Sequence, residues 1–295
     1  MAERPLILLT NDDGIESHAL WAAVEAVLPL GDALVVAPNR QWSGAGRSMP
    51  YDVSGCITPA PREVAGRHVP AFAVDASPAL TVIHAVLQLA PRCPNLVVSG
   101  INFGANLGIE VTISGTVGAA LEAAAFGIPA LAVSLEMDAA DHLSGPERGD
   151  YRAAQVFTQR FARLLLESPP VADADLLNVN IPADATPASG WRRTRLSRRR
   201  YFLPLAPEGI GRPGYRQIED VEEAEEDTDI RAVKVDGVVS VTPLSLDLTA
   251  RGEMERAVPE LPQAIETPRT GPATDVPPPL TDDSPPAEEG FRLWR

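Results

Sequence analysis

Cysteine is nearly absent from this chain of 295 residues: Cys56 and Cys93 are the only two. They form no CxxC pair, which excludes a disulfide scaffold and a thiolate metal cluster. They read instead as small apolar residues in a reducing compartment. Histidine is scarce too. His18, His68, His84 and His142 make no HxH or HExxH spacing, so none stands out as a ligand or general base. Positive charge is short, with 25 Lys+Arg against 40 Asp+Glu and a net charge of −15. Such a surface repels phosphodiester backbones and argues against a nucleic-acid partner. A small phosphate-bearing ligand held beside a cation remains compatible with it. Long apolar runs are missing: "PALAVSL" is too short to span a bilayer, which excludes a membrane role. The opening "MAERPLILLTNDD" turns acidic too soon for a leader peptide, so the expected location is cytoplasmic. No GxxxxGK[ST] occurs, and no GxGxxG follows the first strand, which excludes a P-loop and a dinucleotide fingerprint.

What is present is a rhythm. Short continuous aliphatic runs, the mark of strands buried on both faces, fall at 6–10, 33–38, 69–75, 95–100, 129–135 and 175–182. Helical patterns fall between them at 17–29, 78–89, 115–126 and 150–167, the first with Leu20, Val24, Val27 and Leu28 on one side. The alternation predicts an α/β fold, a Rossmann-like open, mostly parallel sheet with helices on both faces. The expected catalytic core is 1–185. Residues 186–257 read as an arm or oligomerisation region, basic at 190–202, acidic at 219–229, with a strand at 237–248 returning to the core. The basic and acidic runs read either as two solvated stretches or as an arm and a docking surface whose opposite charges meet within or between subunits. Residues 258–295, rich in proline and acid, are expected to stay disordered.

In open parallel sheets, ligands bind beyond the carboxyl ends of the strands. Three loops there carry chemistry. The first holds Asp12 and Asp13, adjacent carboxylates that repel unless a cation or proton intervenes. Hard oxygen ligands of this kind suit Mg²⁺, Mn²⁺ or Ca²⁺, although one could simply cap the following helix. The second, "APNRQWSGAGRSMP", supplies hydroxyls at Ser43 and Ser48. The third, "SGINFGANLGIEVTISGTVG", supplies Asn102 and Asn106, then opens a helix at Ser114-Gly115-Thr116. Free N–H groups and hydroxyls at a helix start make a phosphate cradle. Together the three loops describe a metal-assisted phosphoester hydrolase. An aspartyl-phosphate scheme fits poorly, because the residue two before Asp13 is Asn11 and the one two after Asp12 is Gly14.

The blocks "ILLTNDDGI" (7–15), "VVAPNRQWSGAG" (35–46) and "PNLVVSGINFGANLG" through "SGTVGAALEAAAFGIPALAVSL" (94–135) resemble the SurE-type survival proteins, metal-dependent 5′-nucleotidases. The resemblance runs from residue 5 to about 250. It implies one divalent ion, Mg²⁺ or Mn²⁺, on Asp12, Asp13, Ser43 and Asn102, with Asp12 and Asp13 catalytic. It implies phosphate contacts from Ser114, Gly115, Thr116 and Asn106. The implied activity is that of a phosphoric monoester hydrolase on nucleoside 5′-monophosphates, extending to 3′-monophosphates and short polyphosphate. The implied assembly is a homodimer or homotetramer built through an exchanged arm. A nucleotide-binding regulatory protein with weak or no turnover is the alternative. The chain departs from the family pattern at Glu16-Ser17-His18, at Ala76-Ser77-Pro78 and at Ile113.

Overall fold

The computed structural model describes residues 3–137, 149–168, 171–206, 214–218 and 220–249. Contacts divide the chain after Leu246, and the fold below belongs to the unit Met1–Leu246. The stretch 258–295 and His142 lie outside the described residues.

The strands are β1 (Leu6–Thr10), β2 (Asp32–Pro38), β3 (Ile57–Pro59), β4 (Arg62–Val64), β5 (Arg67–Val69), β6 (Ala71–Val74), β7 (Leu96–Phe103), β8 (Ala130–Leu135), β9 (Leu176–Ile181), β10 (Trp191–Arg193), β11 (Phe202–Leu205), β12 (Gly214–Gln217) and β13 (Val239–Leu244). The α-helices are α1 (His18–Val27), α2 (Pro78–His84), α3 (Gly115–Ala125), α4 (Arg152–Glu167) and α5 (Asp229–Lys234). The main sheet has the order β10-β13-β9-β8-β7-β1-β2-β6-β3. Its centre, from β6 through β9, is parallel, while β3 and β13 pair antiparallel with β6 and β9. The α/β reading of the sequence is borne out.

Alternation along β1 shows why the strand is aliphatic throughout. Ile7 and Leu9 pack into one apolar layer with residues of α1 and α4, and Leu6 and Leu8 into another with residues of α3. Burying each such side chain is worth about 2 kcal/mol. Between them α1 and α4 cover one face, while α2 and α3 cover the other.

Four details differ from the sequence reading. The run 69–75 is not one strand: Pro70, with no N–H to donate, separates β5, which pairs with β4, from β6, which joins the main sheet. The helix expected over 78–89 is α-helical to His84, then makes one π turn over Ala85–Leu89. The strand expected to stop at Gly100 continues to Phe103, with a shift of register against β8 between Ser99 and Asn102. Gly100 has φ +126°, and a Cβ there would lie 2.3 Å from the Val133 carbonyl, so only glycine fits. The strand expected over 237–248 is shorter, Val239–Leu244, and antiparallel to β9.

The opposite charges of the third region meet within the chain. Arg195 pairs with Asp227 at 2.8 Å and Arg199 with Glu223 at 2.6 Å. The β11–β12 hairpin forms a sheet separate from the main one.

Candidate active site

Asp12 lies two residues past the end of β1. A turn stapled by Asn11 holds it there: Asn11 Nδ2 donates to the Gly14 carbonyl at 3.0 Å, and the Gly14 N–H donates to Asn11 Oδ1 at 3.1 Å. The Asp12 side chain lies against the start of α3. Thr116 Oγ1 donates to Asp12 Oδ1 at 2.6 Å. A Cβ on Gly115 would lie 2.7 Å from Asp12 Cβ, so a glycine is needed there for space. The Asp12 main chain ties in the second loop, its carbonyl accepting the Trp42 N–H at 2.7 Å. Ser43 is next in the chain and exposed. Loop two is also pinned to α3: Arg47 pairs with the buried Glu122 at 2.7 Å, and the Gly46 N–H donates to the Ile113 carbonyl at 2.9 Å.

Asp13 faces the third loop. The Phe103 N–H donates to its Oδ2 at 3.4 Å, and Gln41 Nε2 to its Oδ1 at 3.2 Å. Asn102 precedes Phe103 at the shifted register, a device that re-aims side chains beside functional sites. Its amide nitrogen donates to the Phe103 and Gly104 carbonyls at 3.3 and 2.8 Å, which leaves its oxygen as a neutral ligand atom.

Burial pushes the Asp12 carboxyl up, against the hydrogen bonds from Thr116. Burial first, and then the charge of Asp12, push Asp13 up to about 7. A buried carboxylate pair of this kind gains most from a cation. The donors are hard oxygens: two carboxylates, an amide and a hydroxyl. Among the described residues no group of three or more His, Cys, Asp or Glu gathers to hold a metal, so the amide and hydroxyl have to complete any such set. That chemistry fits Mg²⁺ or Mn²⁺.

Ser114 Oγ accepts the Val117 N–H at 3.1 Å, which still leaves the hydroxyl hydrogen to donate. The Thr116 hydroxyl is spent on Asp12, so this residue orients a carboxylate, a role the sequence did not suggest. Gly115 adds its N–H at the positive end of α3. Asn106 packs against β8 and β9: Nδ2 donates to Ser134 Oγ at 2.8 Å and its N–H to Asn180 Oδ1 at 2.7 Å. Gln41 and Phe103, the partners of Asp13, do not stand out in the sequence; Phe103 follows Asn102, and Gln41 lies two residues before Ser43.

Fold and site define a class: an α/β protein whose sheet edge gathers a carboxylate pair beside a helix N-terminus. The family model described as Survival protein SurE matches residues 7–202. A protein named 5′-nucleotidase SurE from Thermococcus gammatolerans is 42% identical over 257 residues, covering 85% of this chain and 93% of that protein. Its namesake from Archaeoglobus fulgidus is 42% identical over 253 residues, covering 84% and 94%. The crystal structure of the SurE protein from Aquifex aeolicus superposes with a TM-score of 0.66 at 33% identity, covering 86% of this chain and 98% of that one. The chain belongs to the SurE family.

Proposed function

We propose that this chain is a divalent-metal-dependent 5′-nucleotidase, hydrolysing nucleoside 5′-monophosphates to nucleoside and phosphate. The observation that carries this is the contact of the Asp12 carboxylate with Thr116 at the start of α3, which puts a cation-seeking group beside an anion-seeking one. The names of the relatives point the same way.

Asp12, Asp13, Ser43 and Asn102 would hold one Mg²⁺ or Mn²⁺. When bound, such an ion polarises the phosphoryl group and makes water nucleophilic at neutral pH. Ser114 and the Gly115 N–H bind the phosphoryl oxygens and stabilise the charge that builds on them. Thr116 fixes Asp12, and Gln41 with Phe103 fixes Asp13. An aspartate so held accepts the proton of the attacking water. Asn106 supports the phosphate side through the third loop. The same reading includes a cytoplasmic location and a homodimer or homotetramer assembled through residues 186–257. The separate β11–β12 hairpin supports that assembly. No helix among the described residues is long and apolar enough to cross a membrane.

The test is phosphate release from 5′- and 3′-monophosphates and short polyphosphate, with Mn²⁺ or Mg²⁺ and with EDTA. Release from AMP or GMP that EDTA and Asp12→Asn both abolish is expected. Tight nucleotide binding without release would establish the regulatory alternative instead.

A further inference from the structure

We propose that the cleft between α1, the β4–β5 hairpin and the start of α4 receives the nucleoside half of the substrate, with Tyr151 as the wall between it and the carboxylate pair. This rests on the monophosphatase reading and deepens it.

The cleft has a volume of about 600 Å³, with Trp21 and Tyr151 among its lining residues. That size is ordinary for a small-molecule site. It adjoins the candidate active site through a short chain of contacts. The Tyr151 ring packs edge-on against Phe103, with centroids 5.9 Å apart, and the Phe103 N–H donates to Asp13. From the other side, the loop that carries Asp12 and Asp13 runs straight into α1, whose residues His18 and Trp21 line the cleft.

The charges select the occupant. Both arginines of the lining are already paired. Arg62 is bonded to Glu16 and lies over the Trp21 ring, 4.5 Å from its centroid. Arg152 grips Asp150, with its Nε 2.9 and 3.0 Å from the two carboxylate oxygens. A second phosphate, or the next unit of a polyphosphate, would therefore find its cations neutralised, and would meet Glu25 and Glu63 as well. A nucleoside is uncharged, flat on one side and rich in N–H and O–H donors. The Tyr151 ring takes its face, and the Glu25 and Glu63 carboxylates, with Gln155, take its donors. Gln155 Nε2 already donates to Glu25 at 2.8 Å, which fixes both side chains in the cleft.

The test compares AMP with ribose 5-phosphate, which lacks the base, in the full-length enzyme with Mn²⁺. Variants are Tyr151→Ala, Tyr151→Phe and Gln155→Ala. Adenosine binding by calorimetry gives a readout independent of turnover. Loss of one base–aromatic contact predicts that Tyr151→Ala lowers the AMP to ribose 5-phosphate ratio of kcat/KM about tenfold, through KM for AMP. Adenosine affinity falls in parallel, Gln155→Ala moves both readouts the same way, and Tyr151→Phe, which keeps the ring, stays within about threefold of the parent. An unchanged ratio with unchanged adenosine affinity in Tyr151→Ala and Gln155→Ala overturns the proposal, even when overall activity drops. Preference for tripolyphosphate, lost with Arg62→Ala, overturns it in favour of an anion site. If the parent protein binds adenosine through Tyr151 but releases no phosphate from any ester, the cleft assignment stands and the hydrolase reading fails.

Discussion

Gly115→Ala isolates the junction between the carboxylate pair and the helix start. In most helices this change is favourable, by about 0.5–1 kcal/mol. Gly115 is the first residue of α3 and has no left-handed φ, so the backbone accepts alanine. The obstacle is space. The added methyl would lie 2.7 Å from Asp12 Cβ and 2.9 Å from its Oδ2, distances that real Cβ atoms do not show. Asp12 cannot simply rotate away, because Thr116 holds its Oδ1 at 2.6 Å and its carbonyl is bonded to Trp42. Restoring normal contact requires a displacement of about 1 Å, and misplacement of that size costs about a hundredfold in rate. The expected outcome is a Tm within a few degrees of the parent, a Mn²⁺ requirement shifted to higher concentration, and kcat/KM for AMP about a hundredfold lower. Phosphate release against Mn²⁺ concentration and a thermal melt measure both. Gly237→Ala is the control. There φ is +60° with nothing within 4 Å, so strain should cost about 1–2 kcal/mol of stability and leave kcat/KM alone. Gly115→Ala activity within threefold of the parent would refute the geometry.

Thr116→Val keeps the shape and removes the hydroxyl on Asp12; AMP hydrolysis should drop at least about tenfold, with Tm lower by a few degrees. For the metal-free protein, the sign of the pH dependence follows from Asp13, whose pKa rises from the ordinary aspartate value of 3.8 to about 7 on folding. Between those values the folded state binds more protons than the unfolded one, so stability should fall as pH rises from about 4 to about 7 and then level off. Urea unfolding in EDTA across that range checks this. The same proton must leave when an ion binds, so Mn²⁺ affinity should weaken below about pH 7, seen by calorimetry in buffers of different ionisation heat. Phe157→Ala, in the fully buried layer between α4 and the sheet, should cost about 3–5 kcal/mol with the substrate preference intact, measured by denaturant unfolding.

The central strands and long helices were legible because each carries one unmixed signal. "LILLT" is apolar on both faces, and α4 alternates at helical spacing with Phe157 and Phe161 inward. The short edge strands carried none. Arg62-Glu63-Val64 and Trp191-Arg192-Arg193 are held by backbone pairing at partly exposed edges, where hydrophobic pattern is silent. Helix α5 begins at the last residue of an acidic stretch and is marked only by the Thr228 cap, which accepts the Arg231 N–H. In the site, residue types could be read but mutual geometry could not. That Thr116 serves Asp12, or that Phe103 carries Tyr151 to Asp13, depends on contacts 104 and 90 residues apart. The register shift that brings Asn102 into place depends on which strand lies beside it.

Asp12 is where three distant loops are knotted: its own, that of Trp42 and that of Thr116. No peptide shorter than the span from β1 to α3 contains this crossing, so a ligand that grips two of those loops recognises only the finished sheet. Occupancy then becomes a clamp on the whole fold, worth about 2.7 kcal/mol when the ligand stands a hundredfold above its Kd. The segment 11–116 would open as one unit in hydrogen exchange, its protection rising and falling with the ion in the medium.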